Sequence, residues 1–224
     1  MFRKKLSGPD ILLIAANLFP VFGVWFLGWN ATEAFIVYAM ETLIVGILTV
    51  VKLLIATFAR GKDDWYANGG SSRQSGLFFI LFFVLHFGIF AAVQTTIFSQ
   101  SADITPANSG AMHFFFKWYT YINKEIGYML CAFIVSYIAK SFIPFIINND
   151  YKTMPMMVIM FQPYGRIFIQ QFTVILGSMF LSLGIDKAFI LIFALAKTFF
   201  ELSIDYDKLM NKAVSDIKKK SSKK

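Results

Sequence analysis

The stretch AFIVYAMETLIVGILTVVKLLIATF, residues 34–58, decides the fold class. Only Glu41 and Lys52 interrupt its apolar run. At about 1.5 Å of helical rise per residue it can cross a hydrocarbon layer roughly 30 Å thick. A surface helix of a soluble domain would carry a broad polar face, and this stretch has none. It predicts a transmembrane helix.

The rest of the chain has the same character. Of 224 residues, 57% are hydrophobic and 15% charged, against about 25% charged in an ordinary soluble domain. Twenty-seven phenylalanines and ten methionines leave too little polar surface to cover the outside of such a domain. The single cysteine, Cys131, excludes a disulfide-stapled scaffold and a thiolate metal cluster. The hydrophobicity excludes intrinsic disorder.

Five further segments have the length and composition of spans: Ile11 to Leu27, Gly76 to Phe98, Ile126 to Ile147, Ile167 to Leu183 and Ala188 to Ile204. The fold class predicted is all-α, a polytopic membrane bundle of six transmembrane helices over residues 1–206, followed by a basic tail, 207–224. The basic start before Ile11 resembles that of a secretory signal, but no small-residue cleavage site closes the run. It passes instead through Asn17, Pro20 and Gly23 to Trp25 and Trp29, a pair suited to an interface.

Lysine and arginine set the orientation. Arg3, Lys4 and Lys5 precede the first span; Arg60, Lys62 and Arg73 separate the second and third; Lys152 follows the fourth; and seven lysines from Lys208 to Lys224 follow the sixth. The opposite side offers Lys117, Lys124 and Lys187. Both termini are therefore expected to be cytoplasmic, in a cytoplasmic membrane. The polybasic tail is expected to meet anionic lipid head groups, each charge contributing about 1 kcal/mol, and no nucleic-acid partner is needed to explain it.

Two connections stand out. Gly61 to Ser75, with Asn68-Gly69-Gly70-Ser71-Ser72, reads as a flexible cytoplasmic loop. Ser99 to Glu125 is the longest outer segment, and its stretch from His113 to Tyr121 is too aromatic to hang in water, which predicts a helix or turn lying in the interface.

A charge near the middle of a membrane helix costs about 2.5 to 3.5 kcal/mol on insertion scales, so each one needs a partner or a purpose. Glu41 and Lys52 lie eleven residues apart, which at about 100° per residue places them on one face of their helix. Lys197 and Glu201, four apart, share a face of the last span. Both helices run inward, one reading acid then base and the other base then acid, so contact between them would let all four charges pair. His86, in the middle of the third span, is the titratable neighbour that completes the predicted intramembrane cluster of Glu41, His86, Lys197 and Glu201. Asn17, Lys52, Gln170 and Gln171 are secondary polar candidates, with Lys52 and Lys140 read as snorkelling toward head groups.

The run Gln162-Pro163-Tyr164-Gly165-Arg166-Ile167 predicts a helix start, because proline suits the first helical position and disfavours helix in the residue before it. Arg166 would then stand at a helix start near the cytoplasmic boundary, placed to contact an anion or a lipid head group. With two histidines in the chain and His113 at a different depth from His86, neither a three-histidine metal site nor a bis-histidine haem can be assembled. No metal and no cofactor is predicted. Lys197 halfway along a last helix suggests a retinal site, but six spans argue against it.

Several of these pieces together resemble a family of uncharacterised prokaryotic multi-pass membrane proteins, domain of unknown function 6498. The matching positions are Asn17-Leu18, Pro20 and Trp29; Tyr38 and Glu41; His86 and Gly88; Pro163-Tyr164-Gly165-Arg166-Ile167, the most specific piece; and Lys197 with Glu201. The chain departs from the family pattern at Ala39 and Thr42, where the family often has tryptophan and asparagine, and at Gln171, where it often has histidine. The last departure removes a partner that a metal at His86 would need. The resemblance implies topology and marks positions; it carries no activity to transfer.

The sequence leaves two functional classes open. One is a small transporter or channel-like protein for an ion or small molecule, working through the polar cluster with Arg166 at its inner mouth. The other is a non-catalytic membrane assembly or organising protein, compatible with a homo-oligomer, whose buried charges only pack helices. A membrane-embedded enzyme lacks a metal-ligand cluster, a nucleophile elbow and an aligned pair of aspartates.

Overall fold

A computed structural model describes residues 7–67, 70–165, 167, 168, 183, 186–203, 212 and 216. The chain is mostly helical. Among the described residues, four helices are long and apolar enough to cross a membrane: Gly8–Phe26, Ala31–Arg60, Gly76–Gln100 and Lys124–Ile147. The expected fifth span falls almost wholly outside the described residues. The expected sixth is present as a helix, Asp186–Ser203, which carries Asp186, Lys187, Lys197 and Glu201 and is the least apolar of the long helices.

Helix α1 (Gly8–Phe26) opens in a capping box: the Ser7 hydroxyl accepts from the Asp10 N–H at 3.3 Å, and the Asp10 carboxylate accepts from the Ser7 N–H at 3.1 Å. The helix therefore starts before Ile11 and takes Asp10 into its first turn. Helix α2 (Ala31–Arg60) is capped by the Asn30 side chain, which accepts from the Thr32 N–H at 2.8 Å, and ends at Gly61, whose φ of 73° suits glycine. It packs against α1 and against the helices that begin at Gly76, Lys124 and Asp186, and this central place is why Glu41, Thr42, Thr49 and Lys52 are all buried on it.

The segment expected to be a flexible loop is instead an antiparallel hairpin, β1 (Lys62–Ala67) paired with β2 (Gly70–Ser75) from Lys62 opposite Ser75 to Ala67 opposite Gly70. The pairing runs up to Ala67 opposite Gly70, and the sequence between them, Asn-Gly, is the pair that right-twisted hairpins favour. Trp65 anchors the hairpin on the next helix, with ring centroids 5.2, 5.9 and 5.1 Å from those of Phe78, Phe79 and Phe82.

Helix α3 (Gly76–Ser101) is capped by Ser75 and crosses α2 closely. A Cβ on Gly46 of α2 would lie 2.5 Å from the Phe87 ring of α3, so only glycine admits this approach. The aromatic stretch from His113 to Tyr121 forms a short helix, α4 (His113–Lys117), and a 3₁₀ turn (Trp118–Tyr121). Phe114 is buried between Phe98 and Tyr121, at 5.9 and 4.9 Å between centroids.

The fourth span comprises α5 (Lys124–Tyr137), a π-helical turn (Ile138–Phe142) and α6 (Ile143–Ile147). Helix α7 (Asp150–Thr153) is a single turn. Helix α8 starts at residue 156 and is described through residue 165, so Pro163 sits inside it rather than at its first position. The start is set upstream: the Pro155 carbonyl accepts from the Val158 and Ile159 N–H groups, and the Asp63 carboxylate of the hairpin accepts from the Met156 N–H at 2.7 Å. Arg60 holds both sides of this junction, pairing with Asp63 at 2.9 Å and donating to the Met154 carbonyl at 2.6 Å. Helix α9 (Asp186–Ser203) packs on α1 and α2.

Candidate functional site

Where α1, α2, α5 and α9 meet, the chain buries Glu41, Lys197 and Glu201 together with Asn17. Lys197 of α9 donates to the Glu41 carboxylate of α2, with 2% and 1% of the two side chains exposed. The Lys197 ammonium also lies 5.0 Å from the Tyr38 ring centroid and 5.4 Å from that of Phe133, within cation–π range of both. Tyr38 is fixed beneath it by an edge contact with Phe193 at 4.6 Å and by its own hydroxyl, which donates to the Asn17 carbonyl at 3.2 Å.

One turn along α9, Glu201 takes up a different partner from the one its sequence position suggested. Its carboxylate accepts from the Asn17 side-chain amide at 2.8 Å. Its backbone carbonyl accepts from the Lys140 ammonium at 3.5 Å. Lys140 in turn pairs with Asp10 at 3.1 Å, and Asp10 accepts from the Ser7 hydroxyl at 2.7 Å. These pairs form the rungs of a ladder: Glu41 with Lys197, then Glu201 with Asn17 one turn along α9, then Lys140 with Asp10, the last two joined through the Glu201 carbonyl. Counting rise along the helices, Glu41 and Lys197 sit roughly 15 Å in from the α4 end, whereas Asp10 is within the first turn at the hairpin end.

Lys52 does not reach Glu201, and it does not snorkel. Its side chain is 3% exposed and donates to the Ser141 hydroxyl at 2.6 Å, with the Tyr137 and Phe145 ring centroids 5.6 and 5.3 Å away. The π turn explains this arrangement: the extra residue in that turn lets consecutive side chains, Lys140 and Ser141, both find partners in the bundle. Beside them is a cavity of about 30 Å³ lined by Lys52, Lys140, Ser141, Asp150 and Gln162, with Phe145 and Met154 among its apolar walls. It has room for about two water molecules, each needing roughly 10–15 Å³.

His86 is not brought into this cluster. It is exposed on α3, its Nδ1 is 2.7 Å from the Tyr164 hydroxyl, and its ring stacks on Phe82 at 5.4 Å. Tyr164, from the most specific motif in the sequence, thus links α8 to α3. Arg166, Gln170 and Gln171 lie outside the described residues. Among the described residues, no group of three histidine, cysteine, aspartate or glutamate side chains is gathered that could hold a metal ion.

Three members of the site escaped the sequence reading. Asp10 lay just before the assigned first span, although Ser7-Gly-Pro-Asp10 has the spacing of a capping box and would have moved that start. Ser141 gave no signal, because a π turn cannot be read from periodicity. Gln94, fully buried on α3 with its Oε1 3.4 Å from the Thr42 hydroxyl, was legible as a polar residue inside an apolar run.

The chain belongs to a family of unknown function, DUF6498, whose model matches residues 2–223. No curated protein and no solved structure matches the chain.

Proposed function

We propose that this member of a family without an assigned activity is a small membrane transporter, and that the charged ladder is its ion-handling element. The observation that carries this reading is the alignment of the charged and polar pairs. Six polar side chains on four helices form three successive pairs from mid-bundle to one end, where a packing role would be met by a single pair. Carboxylates, amines and an amide in series can pass a proton or partner a permeating ion, and intramembrane ionisable groups usually mark such paths.

The reading places six spans in a cytoplasmic membrane with both termini and the hairpin inside, following the lysine and arginine bias. The ladder then opens toward the cytoplasm, residues 207–224 form a basic tail against anionic head groups, and Arg166 stands near the inner mouth.

The test is flux. Purified protein in liposomes should carry a proton or small-ion current, read by an entrapped pH dye or a radioactive ion, that falls in Glu41→Gln and in Lys197→Met. The double variant Glu41→Gln/Lys197→Met leaves no uncompensated charge at the pair, so it should fold and still fail to transport. A folded double variant with wild-type flux would refute the role of the pair.

A second reading rests on the seal around Glu41 and Lys197, which Tyr38 and Phe133 cover with their rings. A closed pair of this kind suits a protein that only organises the membrane or a partner. Under that reading wild-type liposomes show no flux above protein-free ones.

A further inference from the structure

We infer that the cavity beside Lys52 is a binding site for a small monovalent anion of about halide size. This names the substrate class and the cytoplasmic waiting position of the transport reading, on which it rests.

Lys52 is a cation buried in the bundle, yet no carboxylate among the described residues lies within ion-pair distance of it. Each other buried or half-buried amine of the ladder has one: Lys197 has Glu41, and Lys140 has Asp10. Of the three ammonium hydrogens on Lys52, one goes to Ser141. Because the Ser141 oxygen accepts that hydrogen, its own O–H is free to donate onward, so an ammonium and a hydroxyl that line one cavity can both donate into it. Lys140 adds a second amine to the wall and Gln162 an amide.

Size selects among anions. A space for about two waters admits a halide-sized ion with at most one water. Asp150 is the carboxylate in the lining and opposes an anion, and Lys140 is already paired with Asp10, so these groups together carry little net charge. That balance suits a site that must release its ion.

Asp150 also separates this proposal from a plainer one, in which the cavity holds a water bridging Lys52 to Asp150. Equilibrium binding of radioactive chloride to the purified full-length chain in detergent reads the difference. Saturable binding, competed by bromide, is expected in the wild type. Lys52→Met should weaken it about tenfold or more, as loss of a charge-assisted hydrogen bond does. Ser141→Ala, a variant less prone to misfold, should weaken it by about threefold to tenfold. Asp150→Asn should tighten it.

Absence of saturable binding in the wild type would overturn the proposal, as would unchanged affinity in both Lys52→Met and Ser141→Ala. Saturable binding that is missing in the wild type and appears only in Asp150→Asn would favour the water bridge and also overturn it. Because the assay reads no flux, its failure leaves the transport reading standing. Chloride binding without flux in liposomes would fail the transport reading alone.

Discussion

Removing the Lys197 amine leaves the Glu41 carboxylate in a bundle where it is 1% exposed. The neighbouring Tyr38 and Phe133 rings cannot stand in for the lost partner, because they present π faces that attract cations and not anions. Breaking a buried pair from one side typically costs about 3–5 kcal/mol, whereas removing both charges together is often near neutral. Lys197→Met and Glu41→Gln should therefore each lower stability by about 3–5 kcal/mol, and the double variant by less than either alone. The assay is reversible unfolding in mixed detergent micelles, followed by tryptophan fluorescence and far-ultraviolet circular dichroism, with the four proteins forming a double-mutant cycle. Direct contact predicts a coupling energy of about 0.5–3 kcal/mol or more. Additive losses, with coupling below about 0.5 kcal/mol, would refute the pairing of α2 with α9 at this level.

Three further outcomes follow from the packing. Gly46→Val should destabilise by about 1–3 kcal/mol, because its side chain would meet the Phe87 ring, and Phe87→Leu should restore part of the loss in the same unfolding assay. Asp63→Ala removes the acceptor for the Met156 N–H and the partner of Arg60, a loss of about 1–3 kcal/mol; faster amide exchange at 156–159 is the readout. His86→Phe breaks the link to Tyr164 at a cost of about 0.5–1.5 kcal/mol and should leave flux unchanged, since His86 stands apart from the ladder.

The membrane helices were legible because length and hydrophobicity act over many residues and override local detail. Glu41 and Lys197 were legible as partners for a similar reason: each is too costly in the membrane to stand alone, and their helices run the same way at similar depth. The later steps of the ladder depend on finer geometry. Glu201 and Lys52 sit on the expected faces, yet α1, packed on α9, and the π turn after α5 supply nearer partners, Asn17 and Ser141. Pro163 misled because a proline is tolerated inside a helix whose start is fixed elsewhere, here by Pro155 and the Asp63 carboxylate. The hairpin carried a usable signal in Asn68-Gly69, but its polar composition reads equally well as loop.

The central claim is that the ladder from Asp10 to Lys197 is a path that ions and water reach from the hairpin end, and its hydration can be measured directly. With the exposed Cys131 replaced by alanine, single cysteines at Ser7, Asn17 and Thr198 sample the ladder from the hairpin end to the level of the buried pair. Their rates of modification by a charged, membrane-impermeant thiol reagent, applied to one side of oriented liposomes at a time, report where water penetrates. The account predicts reaction from the hairpin side at all three positions, slowing with depth, and none from the α4 side at position 198. Reaction at Ser7 alone, with positions 17 and 198 inert from both sides, would contradict it and leave the charges as packing.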